Sequence, residues 1–386
     1  MKLKQTLLFC VLSVLLLQGC GMQTPAAPDS VSDWFYNRSE NMLVHKVGSP
    51  VGSSIRILDY GTMQDVTLCS KPNCTHKTAD CILHRLGDNV PVFGDGKAYF
   101  FIDDPILVRE NDDGRRVYQM GTTLYAFDMK TNMEEKLCHI DGGVTGSNTG
   151  WLLHDGRIYF VLNEYAKNYD ENGNATGMYS NVGGVMRLCA VDLSDMQVTD
   201  SGPLYDILTL TKYFPDAPYS AECCLYGVFD DKIYFTVSCR EAFDEKTSDI
   251  RFVNYVTYFD LKTQTYCGEP ADFSNFGRGR IRWLSADYLA VAGEHQVMVS
   301  KAGQSGPIPV QDDAFNIFST LSVFDDKLFC EGKVFDLHTL AVTEPDALKD
   351  KTVLAKYGDS YIVSNENDPE QYEKIPAETL LDGDLS

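Results

Sequence analysis

Four segments of this chain align without a gap about a two-residue turn, and that repetition limits the folds open to it more than any other feature. They are Val92-Phe-Gly-Asp-Gly-Lys-Ala-Tyr-Phe100, Leu153-His-Asp-Gly-Arg-Ile-Tyr-Phe160, Val228-Phe-Asp-Asp-Lys-Ile-Tyr-Phe235 and Val323-Phe-Asp-Asp-Lys-Leu-Phe329. Apolar and aromatic residues on both sides of Asp-Gly or Asp-Asp read as the two strands of a tight hairpin. Each copy is followed by a partner strand that ends in an acidic turn: Leu124-Tyr-Ala-Phe-Asp-Met-Lys-Thr131, Leu188-Cys-Ala-Val-Asp-Leu-Ser194, Thr257-Tyr-Phe-Asp-Leu-Lys-Thr263 and Val334-Phe-Asp-Leu-His-Thr339. Weaker copies stand at Leu284–Ala290 and Lys356–Ile362. Almost no stretch keeps helical spacing over ten residues.

Four-stranded units recurring every 35 to 75 residues or so suit a ring, because each sheet buries its faces against two neighbours and most edges are hidden. The expected fold is therefore all-β: a β-propeller of four-stranded antiparallel blades. Seven units begin near Trp34, Pro91, Trp151, Leu225, Ile281, Thr320 and Val353. Six is the alternative, if the last unit borrows strands from the N-terminal end. A large β-sandwich or two stacked β-domains is the rival architecture. The gaps Glu164 to Val185 and Leu204 to Cys224 hold insertions into units three and four, where long loops on one rim would build a binding surface.

The chain divides into three parts. Residues 1–19 have the layout of a lipoprotein signal peptide: Lys2 and Lys4, an apolar run from Leu7 to Leu17, then Leu17-Gln18-Gly19-Cys20. The run falls short of the roughly 20 residues that a membrane span requires. Cys20 would carry diacylglycerol, making the membrane a partner and the extracytoplasmic face the expected location. Residues 20–32 form a polar, proline-containing tether, and 33–386 the propeller.

The formal net charge of −22 disfavours nucleic acid, since phosphate contacts rely on clustered Lys and Arg. Of the twelve cysteines, Cys10 leaves with the signal and Cys20 is lipidated, so ten remain. Disulfides are permitted outside the cytoplasm, yet Cys189, Cys239 and Cys330 sit in apolar strand-like runs that suit small buried hydrophobes.

The densest chemical cluster is Cys69-x4-Cys74-x-His76-x4-Cys81, in the connection that leaves the first unit. Three thiols and an imidazole within thirteen residues suit tetrahedral Zn²⁺, although the spacing is not that of a zinc knuckle or finger. His84 offers a substitute ligand. The competing expectation is a disulfide between two of the three cysteines. A catalytic thiol lacks an identifiable activating partner.

The lipobox, the Leu68-Cys-x4-Cys-x-His-x4-Cys81 stretch and the recurring Asp-Asp-Lys-Ile-Tyr-Phe strands together resemble the extracytoplasmic β-propeller lipoproteins of Gram-positive anaerobes, whose propellers are similar to TolB-like and low-density-lipoprotein-receptor-like ones. The resemblance covers the whole chain after the signal. It implies surface anchoring and a propeller, and it transfers no catalytic residue. Units five and seven depart from the repeat.

Arg278, Arg280 and Arg282 alternate, so a strand there places them on one face, able to hold a carboxylate or phosphate or to pair with neighbouring acids. Asp170-Glu-Asn172-Gly-Asn174 imitates a calcium loop but has Ala175 where that loop requires glycine, and reads better as a hairpin tip. Trp34, Trp151 and Trp283 fit packing between units or a stacking platform for sugar rings. No Gly-x-Ser-x-Gly elbow, His-Glu-x-x-His or phosphate-binding glycine loop is present. The expected function is a surface-anchored binding or scaffold domain for a protein, glycan or small ligand. The alternative is a lyase or glycosidase using acidic residues in the propeller channel.

Overall fold

The computed structural model describes residues 36–381 apart from 39–41, 50–51, 72, 79–80, 87–88, 111–115, 120, 145–150, 170–174, 206–220, 230, 245–248, 267–270, 273–279, 284–287, 293–296, 302–307, 311–321 and 331. Cys20, Trp34, Arg278 and the calcium-like loop lie outside the described residues. The described residues form seven separate antiparallel sheets that follow one another along the chain, except that one hairpin of the third falls within the second.

Sheet one pairs Tyr36–Arg38, Met42–Ser49, Gly52–Asp59 and Asp65–Thr67 in sequence order. Sheet two does the same with Val92–Gly94, Lys97–Asp103, Gly121–Asp128 and Met133–Asp141. Sheet three is built on the long hairpin Arg157–Tyr169 with Ala175–Asp192, flanked by Trp151–His154 and Val198–Tyr205. Sheet four holds Ala221–Phe229, Lys232–Asp244, Asp249–Asp260 and Thr265–Tyr266, and sheet five runs through four strands from Arg280 to Val310. Sheet six comprises Ser322–Phe324, Lys327–Cys330, Lys333–Asp336 and Val342–Thr343. Sheet seven has three strands, Lys351–Tyr357, Ser360–Asn365 and Asp368–Pro376. Sheet one uses four strands of its own, and none of them pairs with sheet seven among the described residues.

The hairpins form where the repeat places them because the turn residues accept left-handed backbone. Asp95 and Gly96, Asp155 and Gly156, and Asp325 and Asp326 all have φ between 46° and 75°, as a two-residue turn matched to strand twist requires. The third strand ends on an aspartate in sheets one, two, three, four and six: Asp59, Asp128, Asp192, Asp260 and Asp336. In each case the main-chain N–H four residues on donates to the aspartate carbonyl at 2.8–2.9 Å, and that fourth residue has φ between 55° and 62°. The side chain Oδ1 meanwhile accepts the main-chain N–H two or three residues on, so these polar turns are built from one recurrent Asx motif.

One hairpin was not visible in the repeat. Ile106–Glu110 and Arg116–Gln119 interrupt sheet two, but Arg116–Gln119 pairs with Ala166–Tyr169 of sheet three. The insertion expected from Glu164 to Val185 lies in the outer part of that same long hairpin.

Among the described residues, sheets one to four pack in succession, and so do six and seven. Apolar residues of sheets one, two and three form one buried cluster, those of three and four a second, and those of six and seven a third. The first strands also approach one another, two against three, three against four and six against seven. At the first of these seams a Cβ on Gly94 would lie 2.4 Å from Leu153 Cδ2, so glycine there permits the approach. At the last, the buried Ser322 hydroxyl donates to the Val353 carbonyl at 2.9 Å.

Sheet one also packs against sheet seven. Leu43, Leu58 and Tyr60 share a buried cluster with Leu354, Ala355 and Ile362. Arg56 bonds Glu370 at 3.2 Å, Lys374 donates to the Gly61 carbonyl at 3.3 Å, and the Tyr372 hydroxyl meets His45 Nε2 at 3.3 Å. His45 is fully buried and bonds Asp65, whose other oxygen takes Arg56. The first and last sheets, some 300 residues apart in sequence, are thus direct neighbours. No helix of the described residues is long and apolar enough to cross a membrane.

Candidate metal centre

The connection from sheet one to sheet two is anchored at both ends before it reaches its cysteines. The Leu68 N–H donates to the Ile55 carbonyl of sheet one at 3.0 Å, and the Ser70 hydroxyl to Asn132 of sheet two at 2.6 Å. The chain then folds tightly, with Asn73 and His76 at φ 56° and 57° and the Cys74 N–H returned to the Lys71 carbonyl. The Cys81 N–H donates to the Thr78 carbonyl and begins a short helix, α1 (Ile82–Leu86).

This folding gathers Cys69, Cys74, His76 and Cys81. Their Sγ atoms and the imidazole nitrogen all lie within 4.8 Å of one another, and His76 Nδ1 is 3.3 Å from Cys81 Sγ. Cys81 and Cys69 are buried, whereas Cys74 and His76 are half-buried. All three cysteines are thiols, so the disulfide expected between two of them is not formed here. His84 is exposed on α1 and stands apart from the four, which removes it as a substitute ligand.

Burial pushes the Cys81 thiol up to about 11, and its contacts with the Cys74 and Cys69 thiols push the same way; main-chain N–H groups of His84 and Leu83 oppose them. Cys81 resists ionisation because burial removes the water that would solvate a thiolate. A divalent cation at the centre of the cluster would balance the thiolate charge, since thiolates bound to metal are deprotonated outright.

The described residues form one other cluster of ligating types, His154, Asp155 and Asp231, at the seam of sheets three and four. His154 Nε2 lies 3.6 Å from Asp155 and 3.8 Å from Asp231. Asp231 also accepts Lys262 at 2.6 Å, and that bond holds its carboxyl below the usual range.

The other predicted site residues are scattered. Arg280 and Arg282 occupy the first strand of sheet five, opposite Ala292 and Ala290. Trp151 is buried edge-on to Phe101 with ring centroids 5.2 Å apart, which makes it a packing residue and not an exposed sugar platform. Cys189 and Cys330 are buried in strands, as expected of small hydrophobes. Sequence patterns gave no sign of the His45, Asp65, Arg56 and Tyr372 cluster, because its members are drawn from opposite ends of the chain.

No family model matches the sequence, and no curated protein matches it either. Among solved structures the chain is similar to an ulvan lyase of a polysaccharide lyase family, with 10% identity over 91% of this chain and 93% of the other, at a TM-score of 0.42. It is also similar to a chain of a nidogen/laminin complex, with 9% identity over 80% and 95% at 0.36. TolB from Acinetobacter baumannii gives 11% identity over 78% and 62% at 0.34. Likeness of this degree carries no argument about activity.

Proposed function

We propose that this protein is a lipid-anchored binding or scaffold domain, a closed propeller of seven blades held at the extracytoplasmic face of a membrane through Cys20. The contact between sheets one and seven is the observation that supports this architecture: it gives the last sheet the first one as a neighbour, as a ring requires. A ring of blades presents a rim and a central channel, and such rigid scaffolds position binding loops. The binding role is supported by the sequence, which carries none of the catalytic motifs sought in it. The Cys69, Cys74, His76 and Cys81 cluster is part of this reading as a zinc site of structural type, and its ligand for function lies elsewhere.

Two measurements test the proposal. In a host that processes lipoproteins, the wild-type chain is expected in the membrane fraction with a diacylglyceryl mass on Cys20, and Cys20→Ser in the soluble fraction. Unmodified Cys20 on protein recovered from the cytosol contradicts the anchoring. The tetherless domain is then screened by thermal shift against envelope proteins and glycans. A ligand at a hundredfold excess over its Kd adds about 2.7 kcal/mol of stability. Turnover of a polysaccharide instead of simple stabilisation would favour the enzyme.

A further inference from the structure

Resting on the zinc reading of the cysteine–histidine cluster, we infer that the metal works as a clasp between sheets one and two, and that its loading controls how tightly those two sheets are joined.

The four side chains fit a closed tetrahedral site. A zinc ion about 2.3 Å from each sulfur sets ligand atoms roughly 3.5 to 4 Å apart. The ligand atoms here span at most 4.8 Å, and the His76 to Cys81 pair is already at 3.3 Å, so closure requires shifts below about 1 Å. Three sulfurs and one nitrogen fill all four positions, which leaves none for water or substrate and marks the site as structural. Main-chain N–H groups of Leu83 and His84 aim at Cys81 and would satisfy its remaining lone pairs once it is a thiolate.

The position of the cluster gives the metal its task. Cys69 follows the fourth strand of sheet one, and Cys81 opens the helix that leads into sheet two. Both lie in the buried cluster that also holds Val44, Ile55 and Ile57 of sheet one and Phe100, Leu124 and Phe127 of sheet two. Helix α1 contacts Gly52–Asp59 of sheet one and Lys97–Asp103 of sheet two, filling the wedge between them with Ile82, Leu83 and Leu86. Its Arg85 bonds Glu134 and stacks over Tyr125, both of sheet two. A helix of five residues is too short to hold itself together in water. Bound metal would pin Cys81, at its first turn, to Cys69, at the end of sheet one, and so hold the wedge in place.

The test uses the full mature domain purified under reducing conditions. One zinc ion per chain by elemental analysis is expected, and cobalt substitution should give the intense visible bands of tetrahedral thiolate ligation. Cys74→Ser should lose the metal, while Cys138→Ser, at a half-buried cysteine outside the cluster, should keep it. Removal of zinc by a chelator should raise amide hydrogen exchange at least tenfold in residues 68–90 and in the facing strands Gly52–Asp59 and Lys97–Asp103, with sheets six and seven unchanged. Metal-free protein with three reactive thiols, or a disulfide among Cys69, Cys74 and Cys81, overturns the metal site itself. Stoichiometric zinc whose removal leaves the exchange pattern unchanged leaves the site standing and overturns the clasp.

Discussion

At the scale of single residues, the aspartate that closes the third strand is the most repeated device in the molecule. Asp336 accepts the N–H groups of His338 and Thr339 and the Lys327 ammonium, and its carboxyl is held well below the usual range by the Thr339 N–H first. Asp192 is lowered to about 2 by the Ser194 hydroxyl and N–H and by Arg157, and Asp59, Asp128 and Asp260 are lowered chiefly by a main-chain N–H. A carboxylate whose pKa falls on folding contributes stability above its unfolded value of about 3.9, and loses it as pH drops toward the folded value. The thermal midpoint of the domain should therefore fall between about pH 4 and 2. Asp192→Asn should start below the parent at pH 7 and converge with it as pH approaches about 2, the folded pKa of the parent carboxyl. Asp336→Ala should cost about 1 kcal/mol in chemical denaturation at pH 7, allowing for its partial exposure. Midpoints that do not converge in acid would show that these carboxylates are not the groups being titrated.

At the scale of elements, what could be read from sequence was what depends on neighbours along the chain. The Asp-Gly and Asp-Asp turns announced their hairpins because left-handed φ selects those residues, and the consecutive Ile158, Tyr159 and Phe160 are all buried because both faces of their sheet are covered. The cysteine–histidine cluster was legible for the same reason, since its four members lie within thirteen residues. The hairpin Ile106–Gln119 was not, because it pairs with Ala166–Tyr169 of the next sheet and bears no resemblance to the repeat. Nor was α1, whose five residues are held by packing and not by helical periodicity. The seams lie between these extremes. Gly94 could be seen, but its purpose appears only where Leu153 approaches it across the seam of sheets two and three. Gly94→Ala should destabilise the domain by about 1 to 2 kcal/mol through crowding, and Leu153→Ala should cost a comparable amount on its own. The double variant should cost less than the sum by at least about 0.5 kcal/mol, because the smaller residue makes room for the added methyl. Strict additivity in urea denaturation would mean that the two positions do not touch.

At the scale of the whole molecule, the first and last sheets meet in a contact that no local pattern specifies. Leu43 and Leu58 are fully buried against a sheet that begins at Lys351, and Tyr60 rests against Tyr357 with centroids 5.8 Å apart. Left without a neighbour, sheets one and seven would each expose those residues, a cost that their mutual packing removes. The polar links Arg56 to Glu370 and Lys374 to Gly61 lie on the rim of this apolar contact and fix its register. Because Lys374 also contributes to the lowered carboxyl of Asp59, an amine of sheet seven and an acid of sheet one are within electrostatic reach. The most direct test is zero-length carbodiimide cross-linking of the monomeric domain, read by peptide mass spectrometry. An amide between Lys374 and Asp59 within one chain is expected, alongside the control amide between Lys356 and Asp325, whose side chains are 2.6 Å apart at the seam of sheets six and seven. Formation of the control with no link between sheets seven and one would contradict the closed ring.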